Sequence, residues 1–393
     1  MNYLILNTDY PEFLYWLYAH QPGLGQQPYE EQMRARNESL FGVADFYSSN
    51  LRKLGHEARD IHANNEWMQK VWAREQGIEV EGNSSLTQRF KSIVHRGASL
   101  GAKTPLRYLR FLVGGKVRIV DSQQKRLYDI LAAQIRQYKP DILLNLSMDG
   151  ISSRFLKEMK PYIRLLVGQI AAPLPQGENW GIYDLVISSL PNFVEYFRSL
   201  NVPSELNRLA FEPEILSRLG NRVGEIPVSF VGSLSRAHQA RVHLIEQLCS
   251  NLEIEVWGYG VNGLPKNSPI RSRYMGSAWG IQMYQMLHAS KITLNNHIGI
   301  AESYANNMRL FEATGVGTLL VTDWKENLIE IFEPGREVIS YRTTEECVEM
   351  VNYYLEHEEE RKAIAKAGQE RTLREHTYYQ RAQELADMVR KYV

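Results

Sequence analysis

The sequence has little cysteine, no long apolar run and no recognisable leader. Its 393 residues include only two cysteines, Cys249 and Cys347, which are far apart and in no metal-ligand spacing. This scarcity argues against a disulfide framework or a zinc site and fits a reducing compartment, so we expect a cytoplasmic protein. No apolar stretch approaches the ~20 residues that a membrane-spanning helix needs. The opening MNYLILN is too short for a signal core and lacks a basic leader. We therefore expect no integral membrane segment.

An excess of charge of either sign is also absent. The chain has 45 basic and 45 acidic residues and no long block of one sign. Its overall field should not attract a polyanion, so we do not expect nucleic acid as a partner. A chain of this length exceeds what one hydrophobic core usually supports, and its 44% hydrophobic content is ample for packed cores. The length predicts two domains, or one large α/β domain with additions.

Short apolar runs alternate with helical patterns along the whole chain, which is typical of βαβ units around parallel sheets. We predict strands at NYLILN, EARDI, DILLNL, IRLLVGQI and DLVISS in the first half, and at VSFVGS, EIEVWGYG, KITLNN, TLLVTD and EVISY in the second. The fold class is therefore α/β, with two doubly wound parallel-sheet domains. Such sheets bind ligands beyond the carboxyl ends of their strands, so two facing sheets should form a cleft between them.

The alternation changes around RLAFEPEILSRLGNRVGEIP. A strand is expected to end at Ala210, Pro213 opens a short helix, and a polar, glycine-containing segment leads to Pro227. The chain then divides into a first domain at 1–212, a linker at 213–226, a second domain at 227–377 and a C-terminal helix at 378–393. The last helix either packs on the second domain or crosses back to the first.

The segment VSFVGSLSRAHQ contains a strand, a glycine turn and a helix. Amides of such a turn and of the first helical turn point outward unpaired, and the helix dipole adds roughly half a positive charge, which suits a phosphate. Gly232 and Ser233 form the turn, and Ser233 and Arg236 can add a hydroxyl and a guanidinium. The alternative is an ordinary strand-to-helix turn with serine as the N-cap, and a lone Gly-Ser turn favours that alternative.

The strand EIEVWGYG ends in aromatic and glycine residues. Gly258 lets a flat ring approach the backbone, while Trp257 and Tyr259 offer faces or edges for stacking. The loop RYMGSAWG repeats this pattern through Gly276. A glycine turn with packed aromatic side chains is the alternative in both places.

The segment ESYANNMRLFEATGVGTLLVTD carries the strongest signal, with a loop, a helix, a turn and a strand. Asn306 or Asn307 can cap the helix and leave the amides near Asn307 and Met308 free for an anion. Arg309 and Glu312 share a helix face, so the arginine can meet a phosphate while the glutamate accepts two ribose hydroxyls. The alternative is a surface salt bridge between them, worth about 0.3 kcal/mol. The helix is short and leads into a buried strand, which favours a polar face that lines the cleft.

Acidic and histidine residues also follow predicted strands. Asp9 follows the first strand and Asp149 follows DILLNLSM, so either can act as a general base toward an acceptor hydroxyl. A turn-forming aspartate is the stronger alternative for both, because aspartate is favoured in turns. His297 lies in NNHIGIAES just after a strand, where a ligand role and a loop role are equally supported.

The second half of the chain resembles the carboxyl-terminal domain of the CgeB-like, spore-coat-type glycosyltransferases. The resemblance lies in the order of NNMRLFEA, a glycine turn, the LVTD strand, FEPGREV, a YR step and the ending AGQERTLREHTYYQR, and FVGSLS and LRKLGHE add to it. It covers the first half only loosely. The family is similar to nucleotide-sugar-dependent transferases of the GT-B type, with two facing Rossmann-like domains. The resemblance implies that fold, a nucleoside-diphosphate sugar bound mainly by the second domain, an acceptor bound mainly by the first, and neither a metal nor a cofactor.

Residue roles also follow from the resemblance. Glu312 matches the glutamate that holds the donor ribose, and Asn307 and Met308 match the helix start whose amides meet the diphosphate. The remaining matches are the phosphate-side turn at Gly232 and Ser233 and the nucleobase loop at Gly258 and Tyr259. Related retaining transferases carry a second glutamate eight positions before the ribose-binding one. That position is Tyr304 here, and Glu302, two residues away, can substitute in space.

The sequence therefore predicts a glycosyltransferase that moves a sugar from a nucleoside diphosphate to an acceptor hydroxyl. The helix start, with Ser233 or Arg236, would stabilise the departing diphosphate. If the reaction inverts configuration, Asp9 or Asp149 is the base, and if it retains configuration, the leaving phosphate takes the proton. The alternatives are a nucleotide-sugar epimerase or hydrolase of the same fold, or a catalytically silent binding or coat-assembly protein. The pattern does not specify the sugar, the nucleobase, the acceptor or the oligomeric state.

Overall fold

The computed structural model describes residues 1–78, 118–221, 224–234 and 239–393 of the chain. Arg236 of the predicted phosphate turn lies outside these residues. The described residues form two α/β domains, each built around one six-stranded sheet. None of the helices among the described residues is both long and apolar enough to cross a membrane.

The first domain contains six strands and seven α-helices among its described residues. They are β1 Asn2–Asn7, α1 Pro11–His20, α2 Tyr29–Glu38, α3 Phe46–Lys53, β2 Glu57–His62, α4 Glu66–Glu75, α5 Arg118–Tyr138, β3 Ile142–Asn145, α6 Ser153–Met159, β4 Leu165–Gln169, β5 Leu185–Ser188, α7 Pro191–Ser199 and β6 Ser204–Leu206. The central strands are covered on both faces, so they read as continuous apolar runs rather than alternating ones. In β1, for example, every residue from Tyr3 to Asn7 is buried.

The second domain repeats the pattern, and its last helix follows. The elements are β7 Ile226–Val231, α8 Gln239–Asn251, β8 Glu255–Trp257, α9 Ile270–Arg273, β9 Tyr274–Gly276, α10 Ile281–Ala289, β10 Ser290–Asn295, α11 Met308–Gly315, β11 Leu319–Asp323, β12 Ile339–Tyr341, α12 Thr344–Glu356, α13 Glu358–Glu375 and α14 Tyr378–Arg390. Strand β7 begins one residue before the predicted start of this domain. The predicted linker contains a short 3-10 helix at Pro213–Arg218.

Both sheets are doubly wound. Their strand orders are β2-β1-β3-β4-β5-β6 and β12-β11-β10-β7-β8-β9, and every pair is parallel. The direction of winding reverses between β1 and β3 in the first sheet and between β7 and β10 in the second, and such switch points are where open α/β sheets bind ligands. The predicted fold class is confirmed, and the ten strands predicted from apolar runs are present. The strand expected to end at Ala210 corresponds to β6, which ends earlier at Leu206, and β9 was not predicted; both have three residues.

The C-terminal helix crosses back to the first domain. Its first residue, Tyr378, has a ring centroid 5.0 Å from that of Phe46 and 5.4 Å from that of Tyr47, both on α3. The backbone N–H of Tyr378 donates to the carbonyl of Phe211 at 3.0 Å, and the N–H of Phe211 donates to the carbonyl of His376 at 2.9 Å. The two chain crossings between the domains therefore run side by side at the base of the cleft.

The domains also touch at the start of α10. The backbone N–H of Ile281 donates to the carbonyl of Ser39 in the first domain at 2.8 Å. Gly280 has φ +53°, and a Cβ atom there would lie 1.9 Å from the Ser39 carbonyl oxygen, so only glycine permits this approach. The ring of Trp279 packs edge-on against Phe41, with centroids 5.0 Å apart.

A second contact is made by the segment between β10 and α11, which we call the β10–α11 loop (residues 296–307). Ala301 is fully buried in an apolar cluster that otherwise belongs to the first domain, together with Leu6, Phe155 and Val186. Tyr304 packs against the same cluster. This loop therefore reaches across the cleft and joins the two domains near the strand ends.

Candidate active site

Helix α11 begins at the switch point of the second sheet, and Asn307 is its N-cap. The Asn307 side chain accepts a hydrogen bond from the backbone N–H of Leu310 at 3.2 Å. Its Nδ2 donates to Oδ1 of Asn295, at the end of β10, at 2.7 Å. Asn306 precedes the cap. The first amides of a helix have no intrahelical acceptor, so this start offers N–H groups to an anion.

Arg309 and Glu312 form an ion pair on the face of α11 toward the cleft base. Arg309 Nη1 lies 2.9 Å from Glu312 Oε2, and the two side chains are only 12% and 7% exposed. Arg309 Nη2 also donates to the carbonyl of Val231, the last residue of β7, at 3.0 Å. The salt bridge of the alternative interpretation is therefore present, but it is buried rather than on the surface. Burial raises the pKa of Glu312, and the Arg309 charge and a hydrogen bond with Tyr284 oppose that rise in part.

A second arginine, Arg241, lies near this pair and was not identified from the sequence. It belongs to the first turn of α8, and its Nη2 donates to the carbonyl of Asn296 at 2.8 Å. Burial lowers the pKa of Arg241, and the positive charge of Arg309 lowers it further. Arg236 and Arg241 both lie in the segment RAHQARVHL, but the predicted phosphate site included only Arg236, which is nearer the glycine turn.

The Gly232–Ser233 turn does not present free backbone amides in the way that was expected. The N–H of Gly232 donates to the carbonyl of Trp257 at 3.0 Å, and the N–H of Leu234 donates to the carbonyl of Tyr259 at 2.8 Å. The expectation that the amide of Gly232 is available to a phosphate is therefore wrong, because β7 continues its pairing into the turn. Ser233 is buried beside it.

Gly258 is required for packing between two turns. Its φ is +139°, and a Cβ atom there would lie 1.8 Å from the carbonyl oxygen of Gly232. The expectation that a flat ring approaches this glycine is wrong on the side where Cβ would point, since the neighbouring turn fills that space. Its N–H donates to the carbonyl of Gly276 at 2.9 Å, which joins β8 to β9.

The aromatic residues after β8 have different surroundings. The Tyr259 ring stacks on Trp279 at 5.3 Å between centroids and lies 6.2 Å from Tyr10 of the first domain. Tyr259 therefore lines the cleft where the domains meet. Trp257 is half-buried, and its Nε1 donates to Oε2 of Glu255 at 3.1 Å.

His297 and Asp323 meet at the ends of β10 and β11. His297 Nδ1 lies 2.6 Å from Asp323 Oδ1, and the His297 side chain has no exposed surface. Asp323 was not identified from the sequence, although it ends the strand TLLVTD next to the strand that precedes His297. An open crevice of about 570 Å³ borders Asp323, and Asn296, Trp324 and Arg342 are among its other lining residues.

The β10–α11 loop displays Glu302 in a strained conformation. Glu302 has φ +50° and ψ −119°, a region that glycine favours, and its side chain is exposed. Lys325 Nζ holds its carbonyl at 2.7 Å. Non-glycine residues keep such geometry only where their surroundings enforce it, which is frequent at functional sites. Tyr304, in contrast, packs its ring against the first domain.

Of the two aspartates in the first domain, Asp9 does not face the cleft. Its carboxylate is buried and binds the guanidinium of Arg36 through Oδ1 and Nδ1 of His62 through Oδ2, the latter at 3.0 Å. Although burial disfavours its charged form, Arg36 and His62 together hold the pKa of Asp9 well below its ordinary value. The prediction that Asp9 is available as a base is therefore wrong, because Arg36 and His62 occupy both of its carboxylate oxygens.

Asp149 lies on the cleft side of the first sheet. It is exposed, and its Oδ1 accepts a hydrogen bond from Ser147 Oγ at 3.2 Å.

Two six-stranded parallel sheets facing each other across a cleft define the GT-B fold of glycosyltransferases. A glycosyltransferase from Rickettsia africae aligns over 100% of this chain and 98% of its own, with a TM-score of 0.55 and 12% identity. Alr3699/HepE from Anabaena in complex with UDP-glucose aligns over 100% of both chains, with a TM-score of 0.55 and 12% identity. Sucrose-phosphate synthase from Thermosynechococcus elongatus aligns over 100% of this chain and 99% of its own, with a TM-score of 0.57 and 10% identity. At these identities the likeness shows the fold alone.

The sequence of the second domain adds a family resemblance. Residues 237–387 match the family described as "Glycosyl transferase-like". This region runs from the start of α8 into α14, so it includes His297, the α11 start and the Arg309–Glu312 pair. It covers less than half of the chain, and no curated protein matches the sequence. The second domain therefore carries a glycosyl transferase-like sequence on a GT-B fold.

Proposed function

We propose that the protein is a glycosyltransferase that moves a sugar from a nucleoside-diphosphate sugar to the hydroxyl of an acceptor. The observation that carries this proposal is the meeting of the α11 start, Arg309 and Arg241 at the carboxyl ends of β7 and β10. Two guanidinium groups and a helix N-terminus at the switch point of a doubly wound sheet suit a diphosphate. The glycosyl transferase-like sequence of residues 237–387 supports the same function.

In this proposal the second domain stabilises the leaving group. Negative charge grows on the diphosphate as the glycosidic bond breaks, and fixed positive groups at that place stabilise the transition state. Arg309, Arg241 and the amides near Asn307 and Met308 are those groups. We propose a metal-independent reaction because they supply the positive charge that a divalent cation would otherwise bring.

We assign the donor ribose to Glu312. Its carboxylate is paired with Arg309 in this structure. A diphosphate bound near Arg309 would attract the guanidinium, and Glu312 would then accept two ribose hydroxyls in place of the lost ion pair. Tyr259 and Trp279, stacked on each other beside the turn at Gly258, are our candidates for the nucleobase side.

The acceptor would enter from the first domain. If the reaction inverts configuration, Asp149 is our candidate base, since it is exposed shortly after the end of β3. If it retains configuration, the leaving phosphate takes the proton. Glu302 stays a candidate for contact with the transferred sugar, because its side chain is exposed on a strained backbone next to the donor site.

Two finer assignments belong to the same proposal. The order of motifs from NNMRLFEA to the ending AGQERTLREHTYYQR supports a CgeB-like affiliation. A cytoplasmic location is supported by the cysteines, because Cys249 and Cys347 are both buried free thiols.

Nucleotide binding tests the donor site. Purified protein should gain thermal stability with one of UDP, GDP or ADP, because a ligand that binds only the folded state stabilises it by mass action. Arg241→Gln and Arg309→Gln should each weaken that binding by at least ~10-fold, since each removes a charge-assisted hydrogen bond. Arg336→Gln is the matched control, because Arg336 and Glu333 form the same three-residue spacing of charges on the surface. Equal losses in all three variants, or no shift with any nucleotide, would contradict the proposal.

Donor consumption tests the reaction itself. A transferase leaves most of its donor intact without an acceptor and consumes it when a panel of hydroxyl acceptors is added. A hydrolase would release sugar from donor alone, and an epimerase would convert the donor sugar without releasing it. The rate should not change with EDTA, and a rate abolished by EDTA and restored by a divalent cation would overturn the metal-independent mechanism.

A further inference from the structure

His297 is held by Asp323 through two hydrogen bonds to one oxygen. Asp323 Oδ1 is 2.6 Å from the ring Nδ1 and accepts the backbone N–H of His297 at 3.0 Å. The His297 side chain is fully buried. Because both bonds end on the same carboxylate oxygen, the ring and its backbone are fixed relative to the end of β11.

The charge of Asp323 determines which ring nitrogen carries the hydrogen. Burial disfavours the ionised carboxyl, but the hydrogen bonds from His297 and the nearby charge of Lys325 keep the pKa of Asp323 below its ordinary value. Lys325 Nζ lies 3.6 Å from Asp323 Oδ2. An ionised carboxylate only accepts hydrogen bonds, so Nδ1 must donate, and Nε2 is the ring nitrogen left to meet another group.

Nε2 is a buried polar atom with no hydrogen-bond partner among the residues that the structure describes. Buried polar atoms in folded proteins almost always have a partner. Through the neighbouring residues the ring is tied to the donor site, since His297 lies two positions after Asn295, whose Oδ1 accepts from the α11 cap Asn307 at 2.7 Å. His297 therefore belongs to the same short segment as Asn295 and Asn296, which bond the α11 cap and Arg241.

We propose that His297 Nε2 forms a hydrogen bond with a hydroxyl of the transferred sugar, and that Asp323 is the positioning residue that orients the ring. The inference rests on the glycosyltransferase function proposed above. A sugar hydroxyl both donates and accepts hydrogen bonds, so it can serve as the partner that Nε2 lacks. The diphosphate already has donors in Arg309, Arg241 and the helix start. His297 would thus recognise the sugar and leave the affinity for the bare nucleotide unaffected.

Two substitutions at the same position separate this role from a structural one. His297→Asn places an amide N–H where Nδ1 is and so keeps the bond to Asp323, but it leaves nothing at the position of Nε2. His297→Gln brings an amide to the position of Nε2. The affinities of each variant for the nucleoside diphosphate and for its glucose ester are measured by calorimetry, with the melting temperature as a check on folding.

The affinity of His297→Asn for the nucleoside diphosphate should be within twofold of that of the unmodified protein. Its affinity for the glucose ester of that nucleotide should be about 3- to 10-fold lower, which is the loss expected for one hydrogen bond. His297→Gln should recover most of that loss. Asp323→Asn should show the same split to a smaller extent, because its amide oxygen can still accept from Nδ1 but no longer carries the charge.

Three outcomes would overturn the inference. Equal weakening of both ligands in His297→Asn would mean that the residue shapes the whole site. Unchanged affinity for both would mean that Nε2 meets no part of the donor. If the unmodified protein binds neither ligand, the proposed function fails and this inference fails with it, whereas a protein that binds both ligands without the split refutes the inference alone.

Discussion

Removal of Arg309 should destabilise the second domain by an amount that depends on pH. Arg309→Met keeps an apolar stem of similar length and leaves Glu312 as an unpaired carboxylate with 7% of its side chain exposed. Breaking a buried ion pair by removing one partner costs about 3 kcal/mol, because the remaining charge stays desolvated. For a domain of this size the loss corresponds to a fall of roughly 6–12 °C in melting temperature.

The pH dependence follows from the direction of the pKa shift. Burial already raises the pKa of Glu312 in the folded state, and loss of the Arg309 charge must raise it further. A carboxyl whose folded pKa is raised binds its proton more tightly when folded, so stability is lost as pH rises above the unfolded value of about 4.3. The deficit of Arg309→Met should therefore be about 3 kcal/mol at pH 8 but only about 1 kcal/mol at pH 5, where Glu312 can fold protonated.

Melting curves at pH 5 and pH 8 measure both values. The double variant Arg309→Met with Glu312→Gln should recover most of the loss at pH 8, since no charge is then buried. Arg336→Met, in an exposed pair of the same spacing, should stay within about 0.5 kcal/mol at either pH. A deficit that is no larger at pH 8 than at pH 5, or a double variant no better than the single one, would refute the reasoning.

Three further predictions concern the domain contacts and a buried acid. Gly280→Ala should lower the free energy of unfolding by at least ~2 kcal/mol and increase the radius of gyration, because the new Cβ would collide with the Ser39 carbonyl and the backbone has φ +53°. Gly263→Ala is the control and should change neither quantity, because the space around Gly263 is open. Ala301→Asp should raise the rate of limited proteolysis of the β10–α11 loop, since it places a carboxylate in the apolar cluster of the first domain; an unchanged rate would contradict that docking. Burial raises the pKa of Asp60 to about 7, so the folded protein must carry an unfavourable buried charge at pH 8 but not at pH 4. Asp60→Asn should therefore leave the free energy of unfolding unchanged at pH 4 and increase it by about 2 kcal/mol at pH 8, a value reduced because Asp60 is only half-buried. Equal melting temperatures of Asp60→Asn and the unmodified protein at both pH values would contradict the last prediction.

The strands were predictable because parallel strands covered on both faces are short apolar runs between helical patterns. Helices that bury polar residues carry no such signal. In α2 the residues Gln32 and Arg36 are both buried, and Arg36 closes the ion pair with Asp9. The apolar period that announces a helix is missing there, so neither the helix nor the partner that occupies Asp9 was evident from the sequence.

In the candidate site, too, features formed by residues close in sequence were predictable, whereas pairs formed by residues far apart in sequence were not. The cap at Asn307 and the spacing of Arg309 and Glu312 are local features of one helix, so the sequence displayed them. The pairing of His297 with Asp323 depends on β10 and β11 being neighbours in the sheet. The sequence supports a ligand role and a loop role equally for His297 and does not single out Asp323, so only the strand order identifies them as a pair.

The β10–α11 loop links the closure of the cleft to the geometry of the donor site. It begins beside His297, carries the strained Glu302, and ends at the cap of α11. Strain of this kind costs about 1–3 kcal/mol, so other contacts must hold the loop in place. Within its own domain, Lys325 donates a hydrogen bond to the Glu302 carbonyl. The first domain contributes apolar packing around the buried Ala301. If the cleft opens, the second anchor is lost while the strain remains. Under the proposed function, the groups that face the sugar would therefore reach their working geometry only when both domains are in contact.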